Sequence, residues 1–201
     1  MNRRDRTSPS NTRISWLLRH GAREARLSMD EAGWAPIGEV LRALRIDREA
    51  LDGIVSQNNK ARFDVEGDRI RASQGHSLDG MPVTREALEA SWAIYKGEDR
   101  IWHGTHVEAI EGIAREGIHS GQRTHVHLAR GLDSTVGKRH NVHVMLAVSV
   151  ERLRKAGLEV YESPNGVILT RSVPADCIVH LRAISQRAQA QQRALQATLN
   201  L

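Results

Sequence analysis

Four short clusters in this chain carry side chains that can do chemistry. Arg19-His20 closes an apolar helical stripe. Lys60-Ala61-Arg62-Phe63 is followed by Gln74-Gly75-His76. His103-Gly104-Thr105 precedes Glu108, and Arg123-Thr124-His125-Val126-His127 alternates polar with apolar residues. An arginine presents a planar fork of N–H donors that keeps its charge and matches the oxygens of a phosphate. A histidine titrates near neutral pH and can carry a proton to or from a reacting oxygen. Each cluster also has a plain structural reading. Arg19-His20 can serve only to complement the negative end of a helix. Arg62 can be a solvated residue opening a strand. His103-Gly104-Thr105 can be a tight turn whose threonine caps a helix starting at Val107. His125 and His127 share one strand face, which fits a metal pair, a wall facing a ligand or a polar outer face. A metal needs further ligands, and His103 and His106 would reach it only by accident of the fold, so no metal is expected.

The chain that must position these groups has 201 residues, room for one large domain or two small ones. Its apolar content of 40% supports a core, and with seven aromatic residues that core must rest on Leu, Ile, Val and Ala. No apolar run reaches the roughly 18–20 residues of a membrane span. The charged stretch Arg3, Arg4, Asp5, Arg6 is followed by no run of the signal-peptide kind. The lone Cys177 excludes an internal disulfide and a cysteine-based zinc site. A cytoplasmic, monomeric protein is the simplest expectation. Net charge is +5, and the cations are 25 Arg against 4 Lys. A phosphate-rich partner and arginine-favouring codon usage both account for that bias.

Residues 1–12 are polar and aperiodic and are expected to form a flexible tail. Apolar residues at Ile14, Leu17, Leu18, Ala22 and Ala25 make a helical stripe. Pro36 can start a second helix carrying Ile37, Val40, Leu41 and Leu44. Asp47 is a plausible N-cap for a third carrying Leu51, Ile54 and Val55. Phe63 and Val65, then Glu66-Gly67-Asp68, then Ile70 and Ala72 predict a β-hairpin. Three short helices and a hairpin make the winged-helix pattern, here over residues 13–76. Residues 77–100 read as a connector with a short helix within Thr84–Trp92. Residues 101–185 change to strands and short helices. In that stretch a helix closes at Gly117, a buried strand spans Val142 to Val150, a hairpin turns at Asn165-Gly166 and a last strand covers Ile178 to Ile184. Residues 186–201 form a helix-prone tail. The expected class is α+β.

The clusters also appear in a fixed order with fixed wording. Leu17-Leu18-Arg19-His20, Gly33-Trp34, Lys60-x-Arg62-Phe63, Ile70-Arg71-Ala72-x-Gln74-Gly75-His76, His103-Gly104-Thr105, Arg123-x-His125-Val126-His127-Leu128, Asn165-Gly166-Val167 and Val173-Pro174 follow one another. From about Ile14 to Leu181 the chain resembles the NAD-dependent RNA 2′-phosphotransferase family. That resemblance implies an N-terminal winged-helix lobe followed by a C-terminal ADP-ribosyltransferase-like β lobe. It implies an Arg-His-Arg-Arg catalytic set at Arg19, His20, Arg62 and Arg123. It places NAD on His103, Gly104, Thr105, His125 and His127, and the RNA phosphate near Lys60 and His76. Ala129 stands where the family often shows serine.

The reaction the resemblance implies has two steps. An internal RNA 2′-phosphate attacks C1″ of the nicotinamide ribose, and nicotinamide leaves an RNA-2′-phospho-ADP-ribose. The ribose 2″-hydroxyl then attacks the same phosphorus, giving RNA with a free 2′-hydroxyl and ADP-ribose 1″,2″-cyclic phosphate. Fixed guanidinium groups suit the charge that builds on phosphorus, and an imidazole suits the departing 2′-oxygen. A transferase that only caps nucleic-acid phosphates would use the same NAD site. A non-catalytic winged-helix binder is the third reading, disfavoured because residues 48–57 hold one cation, Arg48.

Overall fold

The computed structural model describes residues 11–58, 60–137 and 141–201. These form an α+β fold in two compact units, divided between residues 91 and 92. The tail expected over residues 1–12 lies outside the described residues up to residue 10. Asn11 and Thr12 already belong to the first helix.

In the first unit, α1 spans Asn11–His20 and buries Ile14, Leu17 and Leu18 on one face. It stops short of the apolar stripe's end: the N–H of Gly21 returns to the carbonyls of Trp16 and Leu17, both at 3.2 Å. Ala22 is buried from the turn that follows. A two-residue strand, β1 (Ala35–Pro36), leads into α2 (Ile37–Leu44). Helix α3 (Arg48–Ser56) opens on Asp47, whose carboxylate accepts the N–H of Ala50 at 2.8 Å. Strands β2 (Phe63–Glu66) and β3 (Arg69–Ala72) pair antiparallel around Gly67-Asp68, and β1 adds to β3. Val65, expected to alternate inward, is exposed. Helix α4 (Arg85–Ala90) opens on Thr84, which accepts from the N–H of Ala87 at 3.2 Å.

The second unit is built on antiparallel strands. Its elements are β4 (Ala93–Ile94), β5 (Arg100–Thr105), α5 (Ile110–Glu116), β6 (Ile118–His119), β7 (Val126–Leu128), β8 (Val144–Ser149), α6 (Val150–Lys155), β9 (Tyr161–Glu162), β10 (Ile168–Thr170), β11 (Ser172–Val173), β12 (Ile178–Ala183), α7 (Gln186–Ala190) and α8 (Gln192–Thr198). Strand β8 lies between β12 and β5, a second sheet runs β4-β9-β10-β7, and β11 pairs with β6. A single antiparallel bridge, Trp102 to Ala129, joins β5 to the chain leaving β7. The core gathers Ile101, Leu128, Val144, Leu146, Val148, Ile168 and Leu181.

Three expectations change here. The strand expected from Val142 to Val150 ends at Ser149, whose hydroxyl accepts the N–H of Arg152 at 3.2 Å and starts α6. The residues after Gln186 form two helices, and Ala188, Leu195 and Leu199 are buried in the core. His103-Gly104-Thr105 is not a turn with a capping threonine. All three residues lie in β5, paired with Leu146, Met145 and Val144. The first helical turn after them starts from His106, whose side chain makes no cap.

Candidate functional site

In the first unit, one five-residue segment collects three of the four candidate catalytic residues. The N–H of Ser73 donates to the Arg62 carbonyl at 2.9 Å, and the N–H of Ser77 donates to the Arg19 carbonyl at 2.9 Å. Between them Gly75 adopts φ +92, and a Cβ there would lie 3.4 Å from Nε of Arg19. The positive φ, rather than lack of space, calls for glycine here, and the Arg19 guanidinium packs beside it at ordinary contact distance. The Ser77 hydroxyl sits 2.7 Å from Nδ1 of His20. Arg19 and His20 occupy the last turn of α1, where positive charge is favoured.

Arg62 is fixed from the other side by a clamped loop. Its Nη1 donates to Oδ1 of Asn58 at 3.0 Å, and the N–H of Lys60 reaches the same oxygen at 3.3 Å. Ala61 is held at φ +41, with its N–H on the Asn58 carbonyl at 2.9 Å and its carbonyl accepting from the Ser73 hydroxyl at 3.1 Å. Left-handed alanine is unfavourable, so this loop is over-determined by its hydrogen bonds. Nearby, Arg71 pairs with Asp64 at 3.0 Å and stacks on Trp34, 4.6 Å from the ring centre. His76 is fully buried. Its Nε2 would lie 2.8 Å from a Cβ on Gly33, which adopts φ +86. The ring therefore props the segment from within.

In the second unit, His103 is half-buried on β5. Its Nδ1 is 3.1 Å from the carbonyl of His127 on β7. Past the Trp102–Ala129 bridge, an imidazole meets the neighbouring strand where a backbone pair would otherwise continue. Gly104 has a packing reason to be glycine: a Cβ would lie 2.8 Å from Cγ1 of Val142 and 3.2 Å from Sδ of Met145. Thr105 is buried, and its carbonyl accepts the N–H of His143 at 2.9 Å. Arg123 is exposed in the turn before β7. His125 is buried edge-on to Trp92, with ring centres 4.9 Å apart, and His127 is half-buried. Ala129 is buried in the bridge to Trp102.

Glu108, from the third cluster, is exposed and pairs with Arg187 at 2.6 Å. Its carboxyl is held below the ordinary value first by its own backbone N–H and then by Arg187. His106 and His143 meet ring to ring at 4.6 Å. Among the described residues no group of three His, Cys, Asp or Glu is placed to hold a metal. No described helix is long and apolar enough to cross a membrane. Sequence reasoning missed Asn58, Ser77 and Trp92. Ser77 directly follows the Gln-Gly-His string and was findable as its next residue; Trp92 carries no local signal.

A model of the RNA 2′-phosphotransferase, Tpt1 / KptA family matches residues 5–172. The chain belongs to this family. Relatives within reach include a probable RNA 2′-phosphotransferase of Burkholderia lata, 36% identical over 84% of this chain and 90% of its own length. The Pseudomonas savastanoi pv. phaseolicola protein of the same description is 33% identical over 90% of this chain and 97% of its own. That of Streptomyces coelicolor is 34% identical over 85% and 93%. The family match thus takes in all of Arg19, His20, Arg62, His103 and Arg123.

Proposed function

We propose that this chain is an NAD-dependent RNA 2′-phosphotransferase. In this reading the first unit is a winged-helix lobe that receives the RNA phosphate. The second is an ADP-ribosyltransferase-like lobe that receives NAD, and the protein works as a cytoplasmic monomer. The observation that carries the reading is the gathering of Arg19, His20 and Arg62 on the Ser73–Ser77 segment, in a chain of the family that bears this reaction's name.

Arg19 and Arg62 bind the phosphate oxygens and hold them through the transition state, and Arg123 is the third catalytic arginine that the family pattern implies. Lys60 adds positive charge on the loop that carries Arg62. Because Ser77 engages Nδ1 of His20, Nε2 is the atom oriented to pass a proton to the departing RNA 2′-oxygen. His76 and His125, both buried, act as props that position the segments around them. His103, Thr105 and His127 are the groups for NAD: the His103 imidazole, whose Nδ1–H is given to the His127 carbonyl, offers a flat face and an Nε2 acceptor to a planar amide-bearing ring. Gly104 lets Val142 pack beneath that strand. NAD, when bound, supplies an electrophilic ribose carbon with nicotinamide as leaving group and a hydroxyl to take the phosphate.

The test is nicotinamide release from NAD in the presence of an oligonucleotide with or without an internal 2′-phosphate. Release that depends on the phosphate is expected. Release independent of it, or none with either oligonucleotide, overturns the reading.

A further inference from the structure

We infer that Trp16 is a stacking platform for an RNA base next to the transferred phosphate, an inference that rests on the reading above. The site residues so far named bind phosphate, ribose and NAD, and none of them recognises a base. Trp16 is 47% exposed, on the face of α1 opposite Ile14, Leu17 and Leu18. Arg19 and His20 are three and four residues further along the helix, so they flank the indole on the same face, with Cβ atoms about 5–6 Å away. Arg13, one turn before, is also exposed and adds a cation to that face.

The indole is seated. A Cβ on Gly21 would come within 2.4 Å of Cζ3 and 2.7 Å of Cη2 of Trp16. The ring therefore lies against bare backbone at the end of the helix. A rigid aromatic, half open to solvent, one turn from a phosphate-binding arginine and among cations, is the arrangement that stacks single-stranded bases. Charge complementarity selects the occupant: Arg13, Arg19 and His20 favour a polyanion.

Two observations test this on the full chain. The first is steady-state kinetics with a 2′-phosphorylated oligonucleotide, and with one abasic at the nucleotide beside the phosphate. The second is binding of the same oligonucleotides by fluorescence anisotropy, which needs no turnover. The wild type should favour the base-bearing RNA about tenfold in KM, the equivalent of about 1.4 kcal/mol of stacking. W16A should lose that preference, with KM for NAD unchanged. W16F should keep most of it, and G21A, which displaces the ring from its seat, should weaken it while the thermal melt still shows a folded protein. An unchanged preference in W16A, or a concentration-dependent dimer lost in W16A without any change in RNA affinity, overturns the inference. Absent turnover in the wild type with an intact base preference in the anisotropy would instead refute the phosphotransferase reading alone.

Discussion

At the residue scale, the chain places three candidate groups by different devices. Arg19 rests on a left-handed glycine, His20 is held by a serine hydroxyl, and Arg62 is held by an amide from a loop forced into a left-handed alanine. These supports orient charge before any substrate arrives, which is where fixed cations gain most. Arg62→Ala and Arg123→Ala should each lower kcat by about 10²–10³-fold while leaving the melting temperature nearly unchanged. If both arginines serve one transition state, the double variant should lose less than the product of the two effects, read by a double-mutant cycle on kcat/KM. Cys177 gives a prediction of a different kind. Burial first, then the nearby Asp176 carboxylate, raises its thiol above the ordinary cysteine value. The folded state therefore holds its proton more tightly than the unfolded chain. That contribution to stability is complete below the ordinary thiol value and is lost as pH rises through the folded one. Cys177→Ala should flatten the alkaline fall of the melting temperature, and native Cys177 should alkylate far more slowly than in denaturant.

At the element scale, Gly117 brings two segments into close approach. It ends α5 at φ 78 and ψ −164, and a Cβ there would lie 2.3 Å from the Val173 carbonyl. That backbone region is open to glycine alone. Gly117→Ala should cost more than about 1–3 kcal/mol and lower the melting temperature by several degrees, measured by calorimetry. Sequence periodicity makes some elements legible and not others, for physical reasons. Helix α3 was legible because Asp47 is a cap by chemistry as well as by place, and the β2–β3 hairpin because Gly67 supplies its turn. The start of α6 was not: Val142 to Val150 is one apolar run, and only the Ser149 hydroxyl decides where strand becomes helix. Two-residue strands such as β4, β6 and β11 are too short to leave a period. The candidate site residues were legible as types and order. The role of Ser77 was not: its place after the Gln-Gly-His string is visible, but its hydrogen bond to His20, 57 residues away, has no signature in local sequence.

At the scale of the whole molecule, the net charge of +5 and the preponderance of arginine give the protein a bias toward polyanions. In the proposed reading that bias serves the RNA substrate. KM for RNA should rise steeply between about 50 and 200 mM salt, with KM for NAD changing much less, because phosphate contacts release counterions. Equal salt dependence for the two substrates would mean that the cations serve solubility only. The account turns on the fate of one phosphate. The most direct measurement is mass spectrometry of both products after incubation with NAD and an RNA carrying a single internal 2′-phosphate. The prediction is an RNA lighter by that phosphate together with ADP-ribose cyclic phosphate. An RNA that keeps its phosphate, or retains ADP-ribose as a stable adduct, would contradict it.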